Sequence, residues 1–139
     1  MPKDNGELAT SKISEEVLIY KDSWGIPHIE AQNKHDAIFA YGYTVAKDRL
    51  FQMDLQRRLS QGKLSELLGD DLVEIDIMFR TYLFKNWAEN YLSSSNLSEE
   101  SLSYVNAFVE GVNHFVETGE KPFEYYLLNA NVESFSRWM

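Results

Sequence analysis

An apolar stripe between residues 102 and 116 constrains the fold of this chain more than any other feature. Apolar side chains recur there every three or four positions, at Leu102, Val105, Phe108, Val109, Val112, Phe115 and Val116. This spacing is typical of a helix that buries one face. Ser98 is a suitable N-cap for that helix, and Gly119 is expected to end it. Any fold of the chain must therefore cover this stripe.

A second and longer helix is predicted over residues 34–60. Its apolar positions also follow helical spacing, at Ile38, Phe39, Tyr43, Ala46, Leu50, Met53 and Leu55. Asn33 is a good N-cap, and Asp36 lies in the donor-rich first turn. Gly42 inside this helix costs on the order of 1 kcal/mol relative to alanine. We therefore expect a close helix crossing or a local bend there.

Shorter elements complete the prediction. Residues 16–21 and 26–31 favour two strands around a turn at residues 22–25, with Pro27 at a strand start or edge. The remaining expected elements are a short helix over 64–68 ended by Gly69, a helix over about 75–92, a loop over 93–97, and a last segment from Pro122 to Leu128. The sequence thus predicts a mainly α fold, an irregular or orthogonal helical domain with a short N-terminal β-hairpin.

Composition adds limits on size and on partners. With 139 residues the chain should form one domain over 13–139, and the polar residues 1–12 should be a flexible tail or an expression remnant. Eight Phe, eight Tyr and three Trp are a large aromatic share for a domain of this size. Some of these rings are therefore expected to need a surface that the chain does not supply.

Charge and residue types exclude several classes of protein. A net charge of −9 argues against nucleic-acid binding, even though Arg57, Arg58 and Lys63 cluster. The chain has no cysteine, so disulfides and thiolate sites are excluded. No stretch has the length of a transmembrane span, and residues 1–12 lack the apolar core of a signal peptide. The compartment stays open.

No catalytic, cofactor-binding or metal residue is assigned from the residue patterns. His28, His35 and His114 have no metal-ligand spacing and are interpreted as surface or packing residues. The acidic group Asp70, Asp71, Glu74 and Asp76 lacks the EF-hand pattern and is interpreted as a solvated helix entry. The sequon at residues 96–98 is interpreted as chance, and no G-x-S-x-G nucleophile motif is present.

Two stretches resemble a known family. They are residues 22–31 (DSWGIPHIEA) and residues 40–53 (AYGYTVAKDRLFQM), the second continuing through Arg57-Arg58 to GKLSELLG at 62–69. Both are similar to the start of the α chain of penicillin acylases and related N-terminal-nucleophile hydrolases. That family shows D-x-x-G-[VIM]-P-H-I-x-A, G-Y-x-x-A-Q-D-R-L-F-Q-M and R-R-x-x-x-G. Lys47 stands where glutamine is usual, and weaker similarity extends from about residue 16 to the end.

The resemblance implies an amide hydrolase made as a precursor and cut into α and β chains. The nucleophile would be the N-terminal Ser, Thr or Cys of the β chain, with its own amino group as base. The substrate would be an N-acyl compound such as a β-lactam antibiotic or an acyl-homoserine lactone. This chain would be a truncated, structural part of the α chain and inactive by itself. No site residue is therefore carried over to it.

The resemblance also sets expectations for partners. They are the missing remainder of the α chain and the β chain, with self-association through exposed apolar surface allowed for, and with neither nucleic acid nor membrane. No cofactor is expected in this fragment, although calcium is allowed for in the full enzyme. Family members are often periplasmic or secreted. The alternative is a non-catalytic helical module that binds another protein.

Four polar or aromatic residues in the two motifs need an interpretation. Asp48 and Arg49 lie within an apolar pattern, and we expect Arg49 to form a buried fork with carboxylates or carbonyls that fixes helix packing. Trp24 and His28 are expected to anchor the hairpin to the helices or to the absent β chain.

Overall fold

A computed structural model describes residues 6–93 and 97–137 of the chain. Its elements are β1 (Leu18–Lys21), β2 (Pro27–Glu30), α1 (Lys34–Gln61), α2 (Ser65–Leu68), a 3₁₀ turn (Asp70–Leu72), α3 (Val73–Thr81), α4 (Phe84–Ser93), α5 (Glu99–Thr118) and α6 (Phe123–Leu127). The mainly α fold with a short hairpin is thereby confirmed. Residues 1–5 of the expected tail and Asn96 of the sequon lie outside the described residues. No helix in the described part is both long and apolar enough to cross a membrane.

The chain divides into two compact units. Unit 1 comprises Met1–Asp48 and Glu99–Glu120, and unit 2 comprises Arg49–Ser98 and Lys121–Met139. Helix α1 contributes to both units, and the division falls where its backbone leaves helical geometry, at Arg49 with φ −142° and ψ 24°. Unit 1 therefore holds the hairpin, the first part of α1 and α5. Unit 2 holds the rest of α1 with the shorter helices.

The hairpin of unit 1 follows the predicted pattern. Strands β1 and β2 are antiparallel, with Ile19 opposite Ile29 and Tyr20 opposite His28. Pro27 is the first residue of β2, where its missing N–H costs no ladder hydrogen bond. Both predicted strands are confirmed, although each is shorter than the predicted segment, 16–21 for β1 and 26–31 for β2.

The start of α1 is fixed by a carboxylate that is almost completely buried. Asn33 accepts a hydrogen bond from the backbone N–H of Asp36 at 2.8 Å, so the predicted N-cap is confirmed. Asp36, only 1% exposed, accepts in return from Asn33 Nδ2 at 2.7 Å, from Ser14 Oγ at 2.9 Å and from the N–H of Glu15 at 2.9 Å. Asp36 thereby ties the segment before the hairpin to the helix.

Helices α1 and α5 cross at two glycines. A Cβ atom on Gly42 would overlap the carbonyl oxygen of Phe108, and one on Gly111 would overlap that of Phe39. The two backbones can approach this closely only because neither glycine carries a side chain. The close crossing expected at Gly42 is confirmed. Around it the side chains of Phe39, Val112 and Phe115 form the buried core of unit 1.

The predicted helix over residues 75–92 is wrong as a single element. It is divided into α3 and α4 by Leu83, whose φ of 55° lies in the left-handed region. Residues two apart on a straight helix do not face each other. The break instead lets Tyr82 and Phe84 meet with ring centroids 5.6 Å apart, and Phe84 also lies 5.6 Å from Phe79. Local aromatic packing thus accompanies the loss of helix continuity.

Replacing Asp36 by Asn should destabilise the protein in a pH-dependent way. Burial acts to raise the pKa of Asp36, but the hydrogen bonds from Asn33, Glu15 and Ser14 outweigh it and hold the pKa well below its usual range. A depressed folded-state pKa stabilises the fold above the ordinary value near 4, and this stabilisation is lost as the pH falls towards the folded-state pKa. Asp36→Asn should therefore lower the unfolding free energy by about 1–3 kcal/mol at neutral pH.

Urea unfolding of both proteins from pH 7 down to pH 3 tests this prediction. The difference between wild type and Asp36→Asn should shrink below pH 4, because the wild-type carboxylate then loses its advantage. A difference that stays constant with pH would contradict the account.

Substituting Gly111 by Ala should also destabilise, although alanine favours helices by about 1 kcal/mol over glycine. The added Cβ would have to push α5 away from the Phe39 carbonyl. Ser103→Ala on the exposed side of the same helix is the matched control, and it should be neutral or slightly stabilising. A thermal midpoint for Gly111→Ala at or above wild type would show that the crossing is not tight.

Candidate functional site

The three histidines are surface or packing residues, as predicted. His28 Nε2 lies 3.2 Å from Asp22 Oδ2, and its ring stacks on Tyr20 at 5.1 Å. His35 lies half-exposed beside Asp36, while His114 packs against Phe39 at 5.7 Å. Within residues 6–93 and 97–137, no three His, Asp or Glu side chains converge as a metal site would require.

The acidic group behaves as predicted except at Asp76. Asp70, Asp71 and Glu74 are exposed to solvent, whereas Asp76 is only 4% exposed. Its carboxylate accepts from the N–H of Leu64 at 2.8 Å and from Ser65 Oγ at 2.6 Å, at the start of α2. Burial acts to raise the pKa of Asp76, but these hydrogen bonds lower it below its usual range. The interpretation as a solvated helix entry is therefore wrong for this residue.

Gly62 explains why Asp76 is buried. Its φ of +63° reverses the chain after α1 and brings the start of α2 beside α3. A Cβ on Gly62 would lie 2.5 Å from the carbonyl oxygen of Asp76, and Arg80 Nε donates to the Gly62 carbonyl at 2.8 Å. The glycine was visible in the sequence motif, but its partner across the turn was not.

The predicted buried fork at Arg49 is wrong. Arg49 is exposed, and its Nη1 donates to Gln52 at 3.2 Å. Asp48 pairs with Lys21 of the hairpin at 2.7 Å, also at the surface. The backbone of α1 leaves helical geometry at Arg49. The helical spacing of the apolar residues before this kink therefore does not predict which face of the helix Arg49 lies on.

The buried fork lies one to three turns later, around Asp54. The Asp54 carboxylate is fully buried and is bonded by Arg57 Nη2, by Arg58 Nε at 3.1 Å and by the hydroxyl of Tyr125 at 3.0 Å. Burial first, and then the charge of Asp54, raises the pKa of Tyr125 far above its usual range. The phenol therefore remains a proton donor. Spacing of i+3 and i+4 could have indicated the arginine partners, but not Tyr125.

The same arginines hold the segment after α6. Arg57 Nη1 donates to the carbonyls of Glu133 at 3.0 Å and Ser134 at 3.2 Å, and its guanidinium lies 4.7 Å from the Phe135 ring centre. Arg58 Nη2 donates to the carbonyl of Asn131 at 3.3 Å. Three segments of unit 2 therefore converge on one buried carboxylate.

This cluster is structural in its chemistry. Asp54 already accepts from three donors, and both arginines are committed to it and to backbone carbonyls. The buried Nε of Arg57 is the one nitrogen of its guanidinium without a hydrogen-bond partner in the described structure. A separate cavity of about 310 Å³ is lined by Ser60, Lys63, Arg80 and Lys85 among others, but by no carboxylate or histidine that could act as a base.

Exposed apolar residues are the other prominent feature. In unit 1 they include Trp24, 87% exposed, and Ile26 and Leu18, each 56% exposed. In unit 2 they include Ile77, Met78, Tyr82, Leu83, Phe84, Trp87 and Tyr91 of the α3–α4 region, and Phe123, Tyr126 and Leu127 of α6. The expected surplus of unburied rings is confirmed. Of the two anchors expected for Trp24, the helices are excluded because its side chain lies in solvent, and the absent β chain stays a prediction.

Comparison with known proteins places the chain in a family. The family model described as Penicillin amidase matches residues 16–139. The chain belongs to the penicillin amidase family. The resemblance noted in the two sequence motifs is thereby confirmed.

The relatives include acylases of two kinds. The chain is 37% identical over 139 residues to the penicillin acylase 2 proenzyme of Pseudomonas sp. (strain SE83), covering 99% of this chain and 18% of that protein. It is 36% identical over 104 residues to penicillin G acylase of Escherichia coli, covering 75% and 12%. It is 34% identical over 116 residues to the acyl-homoserine lactone acylase QuiP of Pseudomonas aeruginosa, covering 84% and 14%. The chain thus spans less than a fifth of these curated relatives.

A solved structure gives a different coverage. A thermostable penicillin G acylase from Alcaligenes faecalis has a chain that superposes with a TM-score of 0.78 at 28% identity. The match covers 91% of this chain and 68% of that chain. The solved chain is therefore much shorter than the curated relatives.

Replacing Asp54 by Asn should be among the most destabilising single changes in unit 2. It removes the counter-charge of the buried Arg57 and leaves Arg58 only the exposed Glu66 at 3.8 Å, and breaking a buried ion pair costs about 3–5 kcal/mol. Tyr125→Phe removes one hydrogen bond to a charged group and should cost about 1.5–3 kcal/mol. The exposed pair at Asp48 provides the control, because Asp48→Asn should cost less than about 1 kcal/mol. Denaturant unfolding of the three variants measures these differences, and equal effects of Asp54→Asn and Asp48→Asn would refute the assignment.

Proposed function

We propose that this chain is the N-terminal, structural part of a penicillin-acylase-like amidohydrolase that cleaves the side-chain amide of an N-acyl compound. The observation that carries the proposal is the combination of family membership with broad exposed apolar faces among the described residues. The relatives are named as penicillin acylases and acyl-homoserine lactone acylases, so the substrate would belong to one of these classes.

The share of each relative that this chain matches supports a second chain as its partner in the enzyme. The match extends over 68% of the solved acylase chain but only 12–18% of the curated proteins, one of which is named a proenzyme. This difference is expected if a precursor is cut into a short and a long chain. Residues 13–139 would then form part of the short chain, and the long chain would carry an N-terminal Ser, Thr or Cys as nucleophile. The exposed apolar residues would be covered by that chain.

The gene and its full product provide the direct test. The reading frame should continue beyond residue 139, and the expressed product should appear as two chains. N-terminal sequencing of the longer chain should give Ser, Thr or Cys, and its replacement by Ala should abolish amide hydrolysis while leaving the uncut precursor. The 139-residue chain alone should not hydrolyse a chromogenic N-acyl amide. Turnover by the purified chain, with contaminating enzyme excluded, would defeat the proposal.

A non-catalytic protein-binding module is the competing interpretation of the same exposed rings. It is distinguished by sedimentation velocity and by binding of an environment-sensitive dye to the 139-residue chain. The proposed fragment should bind dye strongly and self-associate, since its apolar faces lack their partner. A stable monomer with little dye binding would favour the module instead.

A further inference from the structure

The hairpin turn of unit 1 holds a tryptophan in solvent on a rigid backbone. Trp24 is 87% exposed, although tryptophan has one of the largest apolar surfaces of any residue. Among the described ring contacts, Trp87 stacks on Tyr91 at 5.5 Å and Tyr126 lies 5.5 Å from the Lys121 ammonium group, whereas none involves Trp24. The indole therefore contributes little to the packing of the described residues.

The backbone around Trp24 is fixed by hydrogen bonds rather than by packing. Asp22 Oδ1 accepts from the N–H groups of Trp24 and Ile26, both at 2.9 Å. The N–H of Gly25 donates to the Asp22 carbonyl at 2.9 Å, and the Asp22 N–H donates to the Ile26 carbonyl at 3.1 Å. Gly25 has a φ of +77°, which only glycine adopts without strain. The turn thus determines the direction in which the indole leaves the chain.

Neighbouring contacts hold the turn on unit 1. Asp22 Oδ2 lies 3.2 Å from His28 Nε2, and the hydrogen bonds from Ile26 and His28 lower the pKa of Asp22. The His28 ring stacks on Tyr20, and Lys21 pairs with Asp48 of α1 at 2.7 Å. Because these contacts hold the backbone of the turn, binding through Trp24 costs little backbone entropy, which favours its use as a binding hot spot.

We propose that Trp24 is a preformed anchor that inserts into an apolar pocket on the long chain of the acylase. This inference rests on the proposed function and deepens it by naming the residue that docks. Coverage of the relatives supports the long chain as the partner of Trp24. More than four-fifths of each curated relative has no counterpart in this chain, whereas the solved acylase chain is mostly covered. Ile26, 56% exposed and two residues away, would extend the contact.

The first experiment measures the exposure of Trp24 in the natural full-length gene product. Hydroxyl-radical footprinting, read by mass spectrometry, gives the oxidation rate of the peptide that contains Trp24 in native and in urea-unfolded protein. A docked indole should be protected several-fold in the native protein. Equal rates in the two states would overturn the anchor. An indole that is protected only in oligomers that dissociate on dilution would assign the contact to a second copy of this chain and would also overturn it.

The second experiment measures the energetic contribution with matched variants. Trp24→Ala should weaken association of the short and long chains by about 30-fold or more, as expected for an aromatic hot spot. Ser23→Ala, in the same exposed turn, is the control and should bind as wild type. Asp22→Ala keeps the indole but removes the acceptor for two N–H groups, so its effect should lie between the two.

The same variants distinguish an effect on folding stability from an effect on association of the two chains. Trp24 is 87% exposed, so Trp24→Ala should leave the denaturant midpoint of the protein nearly unchanged. Wild-type association of Trp24→Ala would refute the anchor while leaving the two-chain enzyme intact. Absence of any downstream coding sequence would instead refute the proposed function, and the anchor with it.

Discussion

The buried carboxylate of Asp54 is the interaction on which unit 2 depends. It lies on α1, yet its donors connect it to α6 through Tyr125 and, through Arg57 and Arg58, to the carbonyls of the segment after α6. Burying a charge is costly unless it is paired and hydrogen-bonded, and here two arginines and one phenol donate to the carboxylate. The polar cluster therefore joins α1, α6 and the segment after α6 through directional hydrogen bonds.

Asp36 and Asp76 repeat this device on a smaller scale. Asp36 ties the segment before the hairpin to α1, and Asp76 ties the start of α2 to α3. Each carboxylate receives backbone N–H groups that would otherwise lack partners at a helix start or in a loop. Joining segments by buried carboxylates leaves apolar side chains available elsewhere. This arrangement suits a chain whose rings are proposed to pack against another polypeptide.

Part of the fold follows from local patterns and part does not. The stripe of α5 and the N-cap of α1 depend on neighbours within a few residues, so periodicity and residue type predicted both. The break at Leu83 and the exposure of Arg49 depend on ring packing and on a kink, neither of which has a local signal. The sequence predicted the close crossing at Gly42 but not the helix that crosses there. A glycine within a helix indicates a close approach without identifying its partner.

The sequence by itself determined the family, the mainly helical class and the presence of more aromatic surface than the chain can bury. Those properties reside in motif order, in periodicity and in composition, which do not require coordinates. Only the tertiary structure decided which charges are buried and which rings stay in solvent. It selected Asp54 over Arg49 for the interior and left Trp24 outside, because burial depends on contacts between residues up to 77 positions apart. No local pattern encodes separations of that length.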